Sequence, residues 1–308
     1  MNIFFKKLAQ TVIILASGTP FVRAKEIALT FDDAPMSNSK HFESSARTEE
    51  LIRKLKSLEV PAVIIFANPC KKKSEALVLK QLQKYKDAGH IIGNHTCSHP
   101  RLDDSGYTTF STDAESADKI LTPLFSDQKF FRFPFLNEGT DVKLRDQMRE
   151  WLKTNNYRNG LVSVDTDDYI FSSEINKAKK SGNKIDYKMV KKLFVAHLVG
   201  AANFYDKLAV DTLGYSPKHV MLLHEMDATV MFIDALVLEL RKQGWKIISA
   251  NEAYKDRLYS SLPKNTDTSN GIIAQLASEK TGKKVEYQQF DEIKDKLDKV
   301  LGLKTEIK

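Results

Sequence analysis

Seven short runs of strand-forming residues recur along the chain, and longer stretches of helical periodicity separate them. The runs are EIALTF (26–31), AVIIFA (62–67), HIIGNH (90–95), KFFRFP (129–134), GLVSVD (160–165), HVMLLH (219–224) and WKIIS (245–249). Between the first two, Leu51, Ile52, Leu55 and Leu58 fall on one helical stripe, and comparable stretches lie near 74–88, 111–125, 141–154, 186–213 and 228–243. Asp186 is a candidate N-cap for the longest of these, and Gly214 with Pro217 beyond it marks the end. Near-continuous apolar strands alternating with helices predict a parallel sheet, open or closed as a barrel. In such folds reactive groups gather at the carboxyl ends of the strands. Five of the seven runs end in polar clusters, at Asp32 and Asp33, His95, Arg132, residues 165–168, and His224, so these clusters share one face.

The strand pattern fades after about Tyr259, where SLPKNTDTSNG leads into a charged helical tail. Residues 259–308 therefore read as a helical extension to a catalytic domain over 25–258. The first 24 residues differ from both. Lys6 and Lys7 precede the apolar stretch around TVIILA, and Val22-Arg23-Ala24 is a small-residue cleavage site, which is the pattern of a secretory signal peptide. The expectation is export to the periplasm or beyond, with no membrane span once the leader is removed.

Composition adds bounds. At 308 residues and 42% hydrophobic content the chain can bury a large core. The net charge of +7 drops to +4 when Lys6, Lys7 and Arg23 leave with the leader. Lysine clusters such as KKK at 71–73 lack the interleaved aromatics or glycines of a nucleic-acid surface, so they read as solvated helix faces and no nucleic-acid partner is expected. Two cysteines, Cys70 and Cys97, follow neighbouring strands, and an oxidising compartment permits one bond between them.

The chemistry concentrates at LTFDDAP, where two adjacent carboxylates end a strand. Alone, Asp-Asp-Ala-Pro is also good turn chemistry. Like charges at that spacing repel unless a cation or a proton-transfer task separates their duties. His95 and His99 in HTCSH stand four apart, a spacing that on a helical turn points both imidazoles to one side. A carboxylate joining them makes a two-His, one-carboxylate set with open positions for water and substrate, as catalytic zinc and related metals require. His41, His90, His197 and His219 lack partners at ligand spacing and read as surface or core-edge histidines.

TFDD at 30–33, HTCSH at 95–99, RFPF at 132–135, DTDDY at 165–169 and LLH at 222–224 occur in that order. With these five motifs the chain resembles, over about 26–255, the polysaccharide deacetylase family, also called carbohydrate esterase family 4 or the NodB-homology group. The resemblance implies an irregular barrel of about seven parallel strand–helix units. It also implies that Asp33, His95 and His99 hold a divalent metal ion, zinc by default, while Asp32 stays unbound as general base. Arg132 is then the partner that keeps Asp32 ionised, and the backbone N–H of Phe135 helps bind the oxyanion. His224 is the general acid oriented by Asp168, and Tyr169 and Leu222 line the pocket for the acetyl methyl. Ala34, Phe135 and Tyr169 replace the family's common glycine, tyrosine and tryptophan. The implied activity is hydrolysis of an acetamido group on an amino sugar of a cell-wall or extracellular glycan, peptidoglycan or chitin-like. The alternatives are hydrolysis of non-peptide C–N bonds in a small molecule, and a catalytically silent glycan-binding envelope protein.

Overall fold

The computed structural model of the protein describes residues 24–303, apart from 72–73, 267–269, 286 and 288–289. All but the last residue of the expected leader thus lies outside the described residues. Seven parallel strands form one sheet: β1 (Lys25–Ala34), β2 (Ile64–Ala67), β3 (Ile91–Asn94), β4 (Lys129–Phe131), β5 (Tyr157–Asn159), β6 (Lys218–His224) and β7 (Trp245–Ile247). Their order is β5-β4-β3-β2-β1-β6, with β7 on β1. Every residue of β2 and β3 is buried, as expected of parallel strands covered on both faces. Because β6 occupies one edge of β1 from Glu26 to Asp32, β7 shares the β2 edge, pairing Lys25 to Ile27 where β2 has not yet begun.

The fifth strand departs from the expectation. Residues 160–165 do not form it; β5 lies just before, along β4. The interruption is at Gly160, whose carbonyl accepts from the Arg132 Nε at 2.8 Å. A Cβ there would sit 2.5 Å from the Phe66 ring. Past Gly160 the chain crosses to β6, where Val164 bridges Met221 and Ser163 N donates to Val220 O. One stretch therefore serves both edges of the sheet, joining them into an irregular parallel α/β barrel.

Helices cover the outside: α1 (Ser44–Ser57), α2 (Glu75–Asp87), α3 (Leu102–Leu121), α4 (Val142–Thr154), α5 (Tyr169–Lys180), α6 (Tyr187–Leu213), α7 (Asp227–Lys242), the short α8 (Ala250–Ala253), α9 (Gly271–Thr281) and α10 (Phe290–Leu301). Asp186 caps α6 by accepting from the N–H groups of Lys188 and Met189, and Gly214 ends it with φ 80°. Ser74 and Asp141 cap α2 and α4 in the same way. The periodicity missed α5, which starts at Tyr169 directly after the aspartate cluster.

The C-terminal helices are packed onto the barrel's helical coat. Ile272, Ile273, Ile293, Leu297 and Leu301 are buried in the main hydrophobic core. Ile272 N donates to Val162 O at 2.8 Å, and at Gly271, with φ 78°, a Cβ would lie 2.6 Å from that carbonyl. Only glycine allows this approach. None of the helices among the described residues is long and apolar enough to cross a membrane.

Candidate metal and catalytic centre

The carboxyl end of β1 separates its two aspartates. Asp32 keeps the strand register, opposite His224 of β6, whereas the pairing to β2 is irregular between Phe31 and Ala34. Asp33 falls in that irregularity with φ 66°, a left-handed conformation. Asp32 is 2% exposed and turns inward. Its Oδ1 accepts from Arg132 Nη1 at 2.7 Å, and its Oδ2 lies 3.6 Å from His95 Nε2. Burial pushes its pKa up to about 6, against the opposing charges of Arg132 and His224. Asp33 turns the other way, its Oδ1 3.5 Å from His99 Nε2 and 2.8 Å from the Lys71 ammonium. Burial opposes its ionisation too, but His224, the Lys71 ammonium and, when protonated, His95 outweigh it and hold the carboxyl well below the usual range.

His95 and His99 do meet, with ring centroids 4.9 Å apart, but not on a helical turn. The 95–99 segment is a loop with Thr96 and His99 both at φ 66°. Side chains take the backbone donors that would otherwise build a helix. Asn94 Oδ1 accepts from Thr96 N at 2.8 Å, and Asp113 Oδ1 accepts from Cys97 N at 2.7 Å and Ser98 N at 3.0 Å. Asn68, at the end of β2, donates to the His95 and Thr96 carbonyls. Cys70 and Cys97 are joined as a disulfide with Cα atoms 4.9 Å apart, so the loops after β2 and β3 are tied together.

The donor set suits a divalent cation. One ligand atom from each of Asp33, His95 and His99 lies within 4.8 Å of the other two. His95 Nδ1 is 2.7 Å from the Arg132 carbonyl, so a proton on that nitrogen leaves the Nε2 lone pair facing the cleft. Burial, with the neighbouring His99, pushes His95 well below its ordinary pKa, and burial brings His99 down to about 4, so both rings are neutral donors at neutral pH.

Across the cleft, His224 Nδ1 contacts Asp168 Oδ1 at 2.7 Å. The second Asp168 oxygen accepts from His224 N and from Thr229 Oγ1. Burial disfavours a charged His224, but Asp168 overcomes this and raises its pKa to about 9, leaving an imidazolium that can donate a proton. Arg132 is fixed by four contacts: Asp32, Thr30 Oγ1 at 2.8 Å, Gly160 O, and Tyr254 OH at 3.2 Å. Its guanidinium lies 4.0 Å over the Phe66 ring. Asp32, Asp33, His95, His99, Phe135, Tyr169, Leu222 and His224 line one cleft of about 390 Å³, with Arg132 and Asp168 behind it. Phe135 adopts φ 58°, and its half-exposed ring stands edge-on to His99 at 4.6 Å.

Sequence reasoning missed part of the cleft. Lys71 does not lie on a solvated helix face: the disulfide and the hydrogen bond from Cys70 N to Cys97 O carry it alongside Asp33. Asp165 and Asp167, unlike Lys71, line the cleft itself. Their signal was in DTDDY, where the resemblance singled out Asp168 and gave the other two acids no role. Burial and the Asp167 charge raise Asp165 to about 7. His41, His90, His197 and His219 stay outside the cleft, although His90, His197 and His219 are buried rather than peripheral.

Residues 21–157 match the family model described as polysaccharide deacetylase. A peptidoglycan-N-acetylglucosamine deacetylase of Bacillus cereus is 28% identical over 155 residues, 50% of each chain, so the chain spans about half the length of the curated relative it matches. Among solved structures, a polysaccharide deacetylase from Bacillus cereus superposes with TM-score 0.55 at 17% identity, covering 80% of this chain and 99% of that one. A carbohydrate esterase family 4 pseudoenzyme from Bacillus anthracis gives TM-score 0.52 at 16% identity, over 75% of this chain and 66% of that one. At such identities the superpositions establish the fold.

Proposed function

We propose, from the match of residues 21–157 to the polysaccharide deacetylase family model and the likeness to a peptidoglycan-N-acetylglucosamine deacetylase, that this is an exported metal-dependent hydrolase of that family, which removes the acetyl group from an N-acetylated amino sugar of a cell-wall or extracellular glycan. The products are acetate and a free amine on the sugar. The observation that carries this reading is the division of labour across one cleft, with a base held by Arg132 on one side and an acid held by Asp168 on the other.

Asp33, His95 and His99 would hold the cation, zinc being the default for such donors. When bound, the cation supplies a Lewis acid beside the substrate carbonyl and makes water a better nucleophile. Asp32 takes the proton from the attacking water. A carboxylate buried to a pKa of about 6 is a stronger base than an exposed one and is still ionised at neutral pH. Arg132 holds one oxygen of that carboxylate by a charge-assisted hydrogen bond. The backbone N–H of Phe135, a residue of the same cleft, would help bind the oxyanion that forms as water adds to the carbonyl. His224 then donates its Nε2 proton to the nitrogen as the C–N bond breaks, while Asp168 holds the imidazolium through Nδ1. Leu222 and Tyr169 bound the space for the acetyl methyl. A pseudoenzyme among the structural neighbours makes a silent binding protein the reading to exclude. The presence of base, acid and three donors together supports catalysis, because binding alone needs no such set.

The test is acetate release from chitin oligomers and from peptidoglycan fragments, before and after chelation and after zinc is restored. Loss on chelation with recovery on zinc is expected. Undiminished turnover by metal-free protein would sink the metal reading, and no acetate from any glycan would sink the activity.

A further inference from the structure

Lys71 stands where a lysine is least expected, beside three residues able to bind a cation. Its Nζ lies 2.8 Å from Asp33 Oδ1, and that same oxygen is 3.5 Å from His99 Nε2. Among the described residues Lys71 makes no ion pair with any other carboxylate. We propose that Lys71 sets the cation affinity of the site, its ammonium being a built-in competitor for the Asp33 oxygen that a divalent ion would take. The inference rests on the metal reading above.

The placement is enforced by covalent structure and backbone hydrogen bonds. Cys70 is bonded to Cys97, midway between His95 and His99, and Cys70 N donates to Cys97 O at 3.1 Å. Lys71 N donates to Asn68 O, and Asn68 in turn donates to the His95 and Thr96 carbonyls. The lysine is thus carried on the same tied pair of loops as the ligands, and its Cα cannot move away without disturbing them. Its side chain, however, is 34% exposed and has solvent on its outer side.

The charge balance follows. The Asp33 carboxylate brings one negative charge to the ligand set, and the ammonium 2.8 Å away offsets it. A divalent ion arriving at Asp33 meets a like charge on the same oxygen. The ammonium must swing outward, giving up its ion pair, before the carboxylate can ligate. Three donors with this lysine therefore bind a cation more weakly than the same three without it. Occupancy then follows the supply of free metal instead of being permanent. In the metal-free state Lys71 holds the Asp33 carboxylate in place.

The test is zinc affinity by competition with a chromogenic chelator on metal-free protein, which needs no substrate. Lys71→Met removes the charge and keeps the stem; its dissociation constant should fall about tenfold or more, the scale on which one neighbouring charge shifts a binding equilibrium. Lys71→Arg keeps the charge and should stay near wild type. In melting curves, metal-free Lys71→Met should unfold at a lower temperature than wild type, since Asp33 loses its counter-charge, and zinc should raise its melting temperature by more. Zinc binding by Lys71→Met that is equal to wild type, or weaker, overturns the inference and leaves the metal reading intact. Absence of zinc binding in both proteins removes the two together.

Discussion

Asp32 and Asp33 are adjacent in the chain, yet their surroundings drive their proton affinities apart, one raised to about 6 and the other held low. Their substitutions should fail differently. Asp33→Ala should lose zinc along with turnover, because two imidazoles alone make a poor site. Asp32→Asn keeps size and should keep near-normal zinc content while turnover falls by roughly 10² to 10⁴, the usual worth of a positioned base. Zinc lost from Asp32→Asn but kept by Asp33→Ala would reverse the assignment. The pH profile carries a second residue-level prediction. With Asp32 proposed as base and His224 as acid, activity should rise through about pH 6 and fall through about pH 9. Asp168→Asn removes the charge that raises His224, so the alkaline limb should move down toward the ordinary histidine value of about 6.5. Stability has the same sign. A histidine with a folded pKa above its unfolded value contributes most below about pH 6.5, and the contribution is lost as pH rises through 9. Thermal unfolding of wild type and Asp168→Asn across that window tests it. An alkaline limb unmoved in Asp168→Asn would mean that His224 is not the acid.

At the scale of elements, strand ends and helix caps were legible because they are local. Apolar runs, Asp186 and Gly214 report on their own neighbours, and the structure has them as expected, the fifth run excepted. The five motifs likewise brought their residues to one cleft. What stayed hidden depends on contacts distant in sequence. The 95–99 loop abandons the helical turn its spacing suggested because Asp113, sixteen residues beyond Cys97, takes its backbone donors. Lys71 looked like surface because nothing in KKK tells that a disulfide carries it to Asp33. The fifth strand shifted because Gly160 must lie against Phe66 and Arg132, residues of two other strands' ends. The loop supplies a prediction of its own. Asp113→Ala leaves the N–H groups of Cys97 and Ser98 without their acceptor, so the loop should relax and His99 lose its aim. Zinc affinity should fall by about 10- to 100-fold, as for other residues that orient ligands, with the far-ultraviolet circular dichroism unchanged. Unaltered zinc affinity in Asp113→Ala would show that the disulfide alone fixes the loop.

Over the whole molecule, the barrel and its tail share one hydrophobic core, and that core reaches the site through α5. Tyr169, at the cleft, is the first residue of α5, and Asp168 is its N-cap. The outer side of α5 is covered by α10, and Asn183 Nδ2, just past the end of α5, donates to the carbonyls of Leu301 and Gly302. Residues 259–308 read in sequence as an extension. If it were an independent unit, unfolding it would leave the barrel's own transition in place. Packing of Ile293, Leu297 and Leu301 into the main core argues for cooperative unfolding instead. Leu297→Ala removes a fully buried side chain. It should cost about 2–5 kcal/mol and lower the melting temperature by several degrees. The transition should remain single, because Leu297 belongs to the main hydrophobic core that the tail shares with the barrel. Ending the chain at residue 262 should go further, exposing Val162 and the faces of α5 and α6, so the product should be insoluble or unfolded. A soluble truncation with wild-type acetate release and an unshifted melting temperature would show that the barrel stands without its tail.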